Sequence, residues 1–186
     1  MPVSKLDSKT ALIVVDLQKG IVSIPRAHSI ENVVKNASDL AAAFRHHGLP
    51  VILVNVTGTA PGRTEQGLGG SAFPPDWAEL TPELNQQPQD HLVTKKTWGA
   101  FTNTDLEAHL KSVGVTQVVV CGVATSIGVE STARQAHEFG FNVTLAADAM
   151  TDTSAEAHAN SLERIFPRLG ETGTSQEIIT LVKKGA

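Results

Sequence analysis

The chain holds one cysteine, Cys121, in 186 residues. A lone cysteine excludes an internal disulfide framework and fits a reducing compartment, so a cytoplasmic location is expected. Charge of one sign is not concentrated anywhere. The net charge is −4 at pH 7, and the lysines and arginines are scattered. Phosphate backbones need a basic stripe, so no nucleic-acid partner is expected. No apolar run approaches the ~20 residues of a membrane span, so no membrane partner is expected either. The opening MPVSKLDSKT lacks the apolar core of a signal peptide. The H-x-H, H-E-x-x-H and C-x-x-C spacings are missing, which argues against a metal site. Also missing are the G-x-G-x-x-G and Walker A loops, and no cofactor is expected. There is no internal repeat, low-complexity tract or linker. What is present is ordinary for a globular protein: 41% hydrophobic and 18% charged residues. The length suits a single domain over residues 1–186 with a sizeable core.

Strand and helix signals alternate along the chain. TALIVV, residues 10–15, is a short apolar run that reads as a buried strand ending at Asp16. Residues 29–47 carry Ile30, Val33, Val34, Ala37, Leu40, Ala41 and Phe44 at helical spacing, with Ser29 to cap the start and Gly48 the end. VILVNV, residues 51–56, is the second strand. Residues 57–90 are rich in Gly, Pro and polar side chains, with a short helical turn expected near 77–84. A loop this long in a compact domain is usually functional or disordered. A weaker strand follows at 91–95, then a helix to about 113 with Thr104 as its cap. The fourth strand is expected at 117–121, a helix at 127–139 ended by Gly140, and the fifth strand at 142–146. Ser154 caps a helix that runs to Phe166 and stops at Pro167. A short strand near 171–174 and a helix over 176–182 complete the reading. Such alternation implies parallel strands and right-handed crossovers in a three-layer α/β/α sandwich.

Ligands in such folds bind outside the carboxyl ends of the strands. By this reading Asp16 closes strand one, Lys95 strand three, and Asp148 follows strand five. Gly122 to Gly128 form the turn after strand four. A carboxylate near an ammonium can hold both charges in a dry site. Amides opening the helix near Gly128 are candidates to bind an anion or an oxyanion. Each residue also has a plainer reading. A strand-end Asp is often a turn residue, and Cys121 reads as a small core hydrophobe. Gly128 can serve close helix–sheet packing. Phe73, Trp77, Trp98 and Phe101 are candidates to wall a pocket, although aromatics are more often core.

Three segments together resemble the isochorismatase-like hydrolase superfamily, also called the cysteine hydrolases. VVDLQ, residues 14–18, is similar to its first-strand motif. KKTWGAFTNTDL, residues 95–106, is similar to its K-x-x-x-S-A-F-x-x-T-D-L segment and places the motif lysine on Lys95. CGVATSIGVESTARQA, residues 121–136, is similar to its G-V-A-T-x-x-C-V-x-x-T-A-x-x-A segment. The resemblance covers nearly the whole chain. It implies a Rossmann-like, mostly parallel six-stranded sheet of order 3-2-1-4-5-6 and a cis peptide at Val123–Ala124. It further implies a small-molecule substrate, and a homodimer or higher homo-oligomer.

The departure falls at the nucleophile: where the motif has its cysteine, this chain has Gly128. Cys121 lies seven positions earlier, inside the strand, and cannot substitute. The resemblance then implies isochorismatase-type chemistry, with Asp16 as the general acid, its pKa raised by burial, and Lys95 beside it. Gln18, Arg63, Trp98, Ala124, Thr125 and Ile127 are the expected substrate-binding residues. Arg63, in TAPGRTE, would take a substrate carboxylate. Three rivals stand beside this reading. The first is an inactive small-molecule-binding member of the family. The second is an amide hydrolase that uses an activated water. The third is a serine hydrolase built on ATSIG, with Ser126, Asp148 and His158 in the order of a triad.

Overall fold

The computed structural model describes residues 2–65 and 73–185. Part of the long 57–90 loop, residues 66–72, therefore lies outside the described residues. Six strands form one sheet: β1 (Thr10–Val15), β2 (Val51–Val56), β3 (His91–Lys95), β4 (Gln117–Val123), β5 (Asn142–Thr151) and β6 (Glu171–Gly173). Their spatial order is 3-2-1-4-5-6 and every pairing is parallel. The helices are α1 (Lys19–Val22), α2 (Ile30–His46), α3 (Leu106–Ser112), α4 (Glu130–Glu138), α5 (Ala155–Asn160) and α6 (Ser175–Gly185).

The central strands are apolar on both faces because both faces are covered. In β1, Ala11, Ile13 and Val15 pack toward α3 and α4 with Leu106, Leu110, Val129 and Ala133. Leu12 and Val14 point the other way, into the layer of α2 and α6 with Leu40, Phe44, Ile178 and Val182. The period-2 alternation of a strand thus divides one apolar run between two cores. Cys121 lies in the second core, fully buried, and burial pushes its thiol pKa far up. No thiolate is available from it.

The expected bounds of β1, β2 and β3 coincide with the observed strands, and Ser29 and Ser154 cap their helices as expected, accepting from Asn32 N and Ala157 N. Several expectations need correction. Thr104 does not cap α3 in the usual geometry. Its hydroxyl donates to Ala100 O at 2.6 Å and accepts from Leu106 N at 3.4 Å, while Asp105 is the cap residue. The helix after β4 opens with a wide π-type turn over Thr125–Val129 before α4 begins. After α5 the chain makes a second such turn and a 3-10 turn that contains Pro167, so no single helix reaches Phe166. The single turn α1 lacked any periodic signal.

The largest correction is β5, which runs ten residues, to Thr151, past an irregularity where Met150 pairs with Gly122. Asp148 therefore lies within the strand rather than beyond it. Its carboxylate accepts from Ser175 N at 2.6 Å and Ser175 Oγ at 2.8 Å, and Asn36 Nδ2 reaches it at 3.3 Å. It anchors α6 and α2, away from the ligand edge. Asp152 holds the strand end instead.

Candidate active site

The sheet order reverses between β1 and β4, and the crevice opens there. Asp16 follows β1 with its backbone in the left-handed region, φ 52°. That conformation is costly for a residue with a Cβ and persists where the surroundings impose it. Here Asp16 N donates to Val54 O at 2.9 Å across the sheet. On the other side Gly122, at φ 116°, lies against Val15, and a Cβ there would sit 2.0 Å from Val15 O. Only glycine lets the two central strands end so close together. The Val123–Ala124 peptide bond is cis.

Lys95, the last residue of β3, donates from Nζ to Asp16 Oδ2 at 2.7 Å and to Thr97 O at 3.1 Å. The side chains of the pair are 2% and 8% exposed. The second carboxylate oxygen, Asp16 Oδ1, is buried without a hydrogen-bond partner. Burial raises the Asp16 pKa to about 6, against the pull of the Lys95 charge and hydrogen bond. Desolvation of the carboxylate wins over the ion pair. Gly128 closes the site. A Cβ on it would lie 3.2 Å from Asp16 Oδ2, 3.1 Å from Val15 Cγ1 and 3.3 Å from Val123 O.

These residues floor a cleft of ≈ 230 Å³ with mainly apolar walls, among them Ile21, Ile24, Val56, Trp98, Ala124 and Ile127. Trp98 stands at its mouth, 62% exposed. Of the residues expected at the site, the structure brings together Asp16, Lys95, Gly128, Trp98, Ala124 and Ile127. It places three elsewhere. Gln18 is fully buried as a clamp on the loop: Nε2 donates to Val56 O and Trp77 O, and Oε1 accepts from Val56 N. Thr125 is buried and its hydroxyl faces His158 Nδ1 at 2.8 Å. Arg63 is exposed and does not line the cleft. Of the candidate aromatics besides Trp98, Phe101 is core, while Trp77 stacks on Phe73 and covers Gly20.

The turn amides are largely engaged. Ile127 N and Val129 N donate to Ala124 O, and Ser126 N donates to Asp152 Oδ2 at 2.8 Å. These three cannot also bind an anion. Ser126 Oγ donates to the same Asp152 oxygen at 2.8 Å, while His158 is held by Thr125. With Asp148 inside β5, Ser126, Asp148 and His158 form no relay, and the serine-hydrolase geometry is absent.

Two residues of this region escaped the sequence reading, Arg26 and Asp152. Arg26 lines the cleft. Its segment is tied to the end of β5 by Ala27 N to Asp152 O at 2.8 Å and His28 N to Thr151 Oγ1 at 3.2 Å. No periodic pattern marks a lone arginine in IPRAHS, and the tie is between segments distant in sequence. Asp152 escapes that reading because the apolar run of β5 breaks at Asp148, before the strand ends. Among the described residues no His/Cys/Asp/Glu group has the geometry to hold a metal ion. No helix there is long and apolar enough to cross a membrane.

The sequence profile described as Isochorismatase domain matches residues 10–177. The isochorismatase family protein YwoC of Bacillus subtilis is 44% identical over 182 residues, covering 94% of this chain and 95% of that protein. A probable isochorismatase of Pseudomonas chlororaphis is 30% identical, covering 92% and 85%. Nicotinamidase 3 of Arabidopsis thaliana is 32% identical, covering 82% and 78%. Among solved structures, an isochorismatase family protein from Burkholderia thailandensis superposes with a TM-score of 0.92 at 38% identity, covering 96% and 98%. Sheet order, switch-point crevice and these matches agree, and the chain belongs to the isochorismatase family of hydrolases.

Proposed function

We propose that the chain hydrolyses a small vinyl ether of the isochorismate type without a cysteine nucleophile, Asp16 acting as general acid. The observation that carries this reading is the state of Asp16. Its carboxyl group is buried beside Lys95, has one oxygen unpartnered, and titrates at about 6. A carboxyl tuned toward neutral pH suits proton donation. In the proposed step Asp16 protonates the terminal vinyl carbon. The resulting oxocarbenium ion takes a water at its carbon, and the hemiketal collapses to pyruvate and an alcohol. The proton lost by water returns to Asp16. Lys95 steadies the carboxylate formed midway. Gly128, where the family motif carries cysteine, leaves the space above Asp16 Oδ2 for the substrate.

A second reading draws on a separate observation. Above pH 6 Asp16 is mainly ionised and can take a proton from water, and one relative is named a nicotinamidase. Hydrolysis of an amide by an activated water would use the same pair with the opposite proton flow. A homodimer or larger assembly remains part of the proposal, and sedimentation velocity reads it.

The test is pyruvate release from isochorismate, with Asp16→Asn and Lys95→Ala in parallel and ammonia release from nicotinamide as the second assay. The expected result is turnover by the wild type that falls ~10³-fold in Asp16→Asn. Ammonia release alone moves the assignment to the second reading. No turnover in either assay overturns both and leaves a binding protein.

A further inference from the structure

We infer that Arg26 is the residue that selects the substrate class, by anchoring a carboxylate of a compact substrate, remote from its reacting group, in the cleft above Asp16. The inference rests on the reading of the cleft as a substrate site. Among the residues lining it, the charged ones are Asp16, Lys95 and Arg26. Asp16 and Lys95 are committed to each other, and Lys95 also donates to Thr97 O. Arg26 is not committed in that way. Nη2 donates to Ile21 O at 2.8 Å, and Nε is buried with no acceptor. No carboxylate among the described residues lies within ion-pair distance of its guanidinium.

The nearest acidic influence is Asp152, and its oxygens are occupied. Oδ2 accepts from Ser126 N and Oγ, and Oδ1 accepts from Thr153 N at 2.8 Å and Ser154 N at 3.4 Å. A half-buried guanidinium with spare donors beside an apolar cleft is costly unless an anion arrives. The backbone ties of Ala27 and His28 to β5 hold the arginine at that wall. Of the other candidate anion binders, several are already spoken for. The amides of Ser126, Ile127 and Val129 are engaged, and Arg63 is outside the cleft. A carboxylate that displaces the Ile21 contact would gain a two-pronged pair with Arg26. The apolar body of the substrate would then lie along Ile24, Val56, Trp98 and Ile127, with its reacting end toward Asp16.

The test needs no turnover, so its failure is separable from failure of the proposed hydrolysis. Benzoate and its neutral counterpart benzamide are titrated into the full chain, read by calorimetry and by the fluorescence of a Trp77→Phe background in which Trp98 is the remaining tryptophan. The expected result is that the wild type prefers benzoate. Arg26→Ala should lose benzoate affinity by roughly tenfold or more while benzamide affinity stays, and Arg26→Lys should restore part of the loss. Equal affinity of the wild type for the two probes overturns the inference. So does an equal loss for both in Arg26→Ala, which would mark a merely structural arginine. If turnover of isochorismate is found, the same variant should raise KM far more than it lowers kcat.

Discussion

Two buried aspartates in this protein are each paired with a cation, and they are not alike. Asp90 meets Arg45 in a fork, Nε to Oδ1 at 3.0 Å and Nη2 to Oδ2 at 2.7 Å. Oδ2 also accepts from Gln87 N, and Arg45 Nη1 donates to Leu84 O. Side-chain exposure is 1% for Asp90 and 11% for Arg45. Both oxygens of Asp90 are satisfied and its partner is bound on three nitrogens. Asp16 meets a lysine ammonium at the same 2.7 Å, a point charge that reaches only one oxygen, so the other is left bare, while the backbone is left-handed and the pKa is pushed up. A satisfied buried pair fixes loop to helix. An unsatisfied one beside a cleft is held in a state that a substrate can complete. Burial alone does not separate the two pairs; the count of unmet acceptors does.

That contrast predicts a double dissociation. Asp16→Asn keeps the shape and removes the proton chemistry, so kcat for the accepted substrate should fall about 10³-fold while the protein stays folded. Asp90→Ala strands the Arg45 charge against Leu84 and leaves Gln87 N without its acceptor. Breaking a buried pair from one side costs about 3–5 kcal/mol, so Tm should fall by roughly 10 °C with kcat of the folded fraction unchanged. Thermal melts and steady-state rates on the two variants read this. If Asp90→Ala abolishes turnover in folded protein, or Asp16→Asn spares it, the comparison fails.

The pH dependence sharpens the same contrast. The Asp16 pKa lies above its unfolded value of 3.8, at about 6, so the folded state keeps this proton to higher pH than the unfolded chain. The stability it contributes is full below about pH 4 and is lost as pH rises toward 6. In the proposed general-acid role it must be protonated, so kcat should fall about tenfold per unit above pH 6. Asp16→Asn should flatten the stability change across pH 4–6. Denaturant melts at pH 4, 5, 6 and 7, with a rate profile over the same range, check both signs.

Much of the fold was legible in the sequence, for a physical reason. Parallel strands covered on both faces are continuous apolar runs, and TALIVV, VILVNV and QVVVC announce themselves. Two strands run past their expected ends, β4 by two residues to Val123 and β5 by five, and the longer overrun is in the strand whose apolar run is broken by Asp148, a carboxylate satisfied by the far helix. Asp16 and Lys95 are readable as neighbours because each stands at the carboxyl end of a strand, Asp16 after β1 at the switch point and Lys95 closing the edge strand β3, whose long side chain reaches across β2. Gln18 and Arg26 were not. Gln18 lies two residues past Asp16, yet its amide turns back to clasp the loop. Arg26 reaches the cleft because a backbone bond ties its neighbour to β5. Neither orientation is written in spacing, since both depend on tertiary contacts to irregular chain.

The smallest expected effect tests the glycine. An alanine at 128 would lower the entropy of the unfolded chain, worth about 0.4–1 kcal/mol in favour of folding. Its Cβ would also press on Val15 Cγ1, Asp16 Oδ2 and Val123 O at 3.1–3.3 Å. Val15 is β-branched and the last contact is backbone, so the aspartate is the neighbour best able to give way. Overpacking of this kind costs about 1–3 kcal/mol where nothing yields. The packing cost exceeds the entropic gain by about 1 kcal/mol once the aspartate gives way, so Tm of Gly128→Ala should fall by only a few degrees. Activity should respond more, because a carboxyl displaced by a few tenths of an ångström no longer meets the reacting atom in line. A loss of roughly tenfold in kcat is expected. Full activity in Gly128→Ala would make the glycine a packing residue and detach it from the Asp16 site.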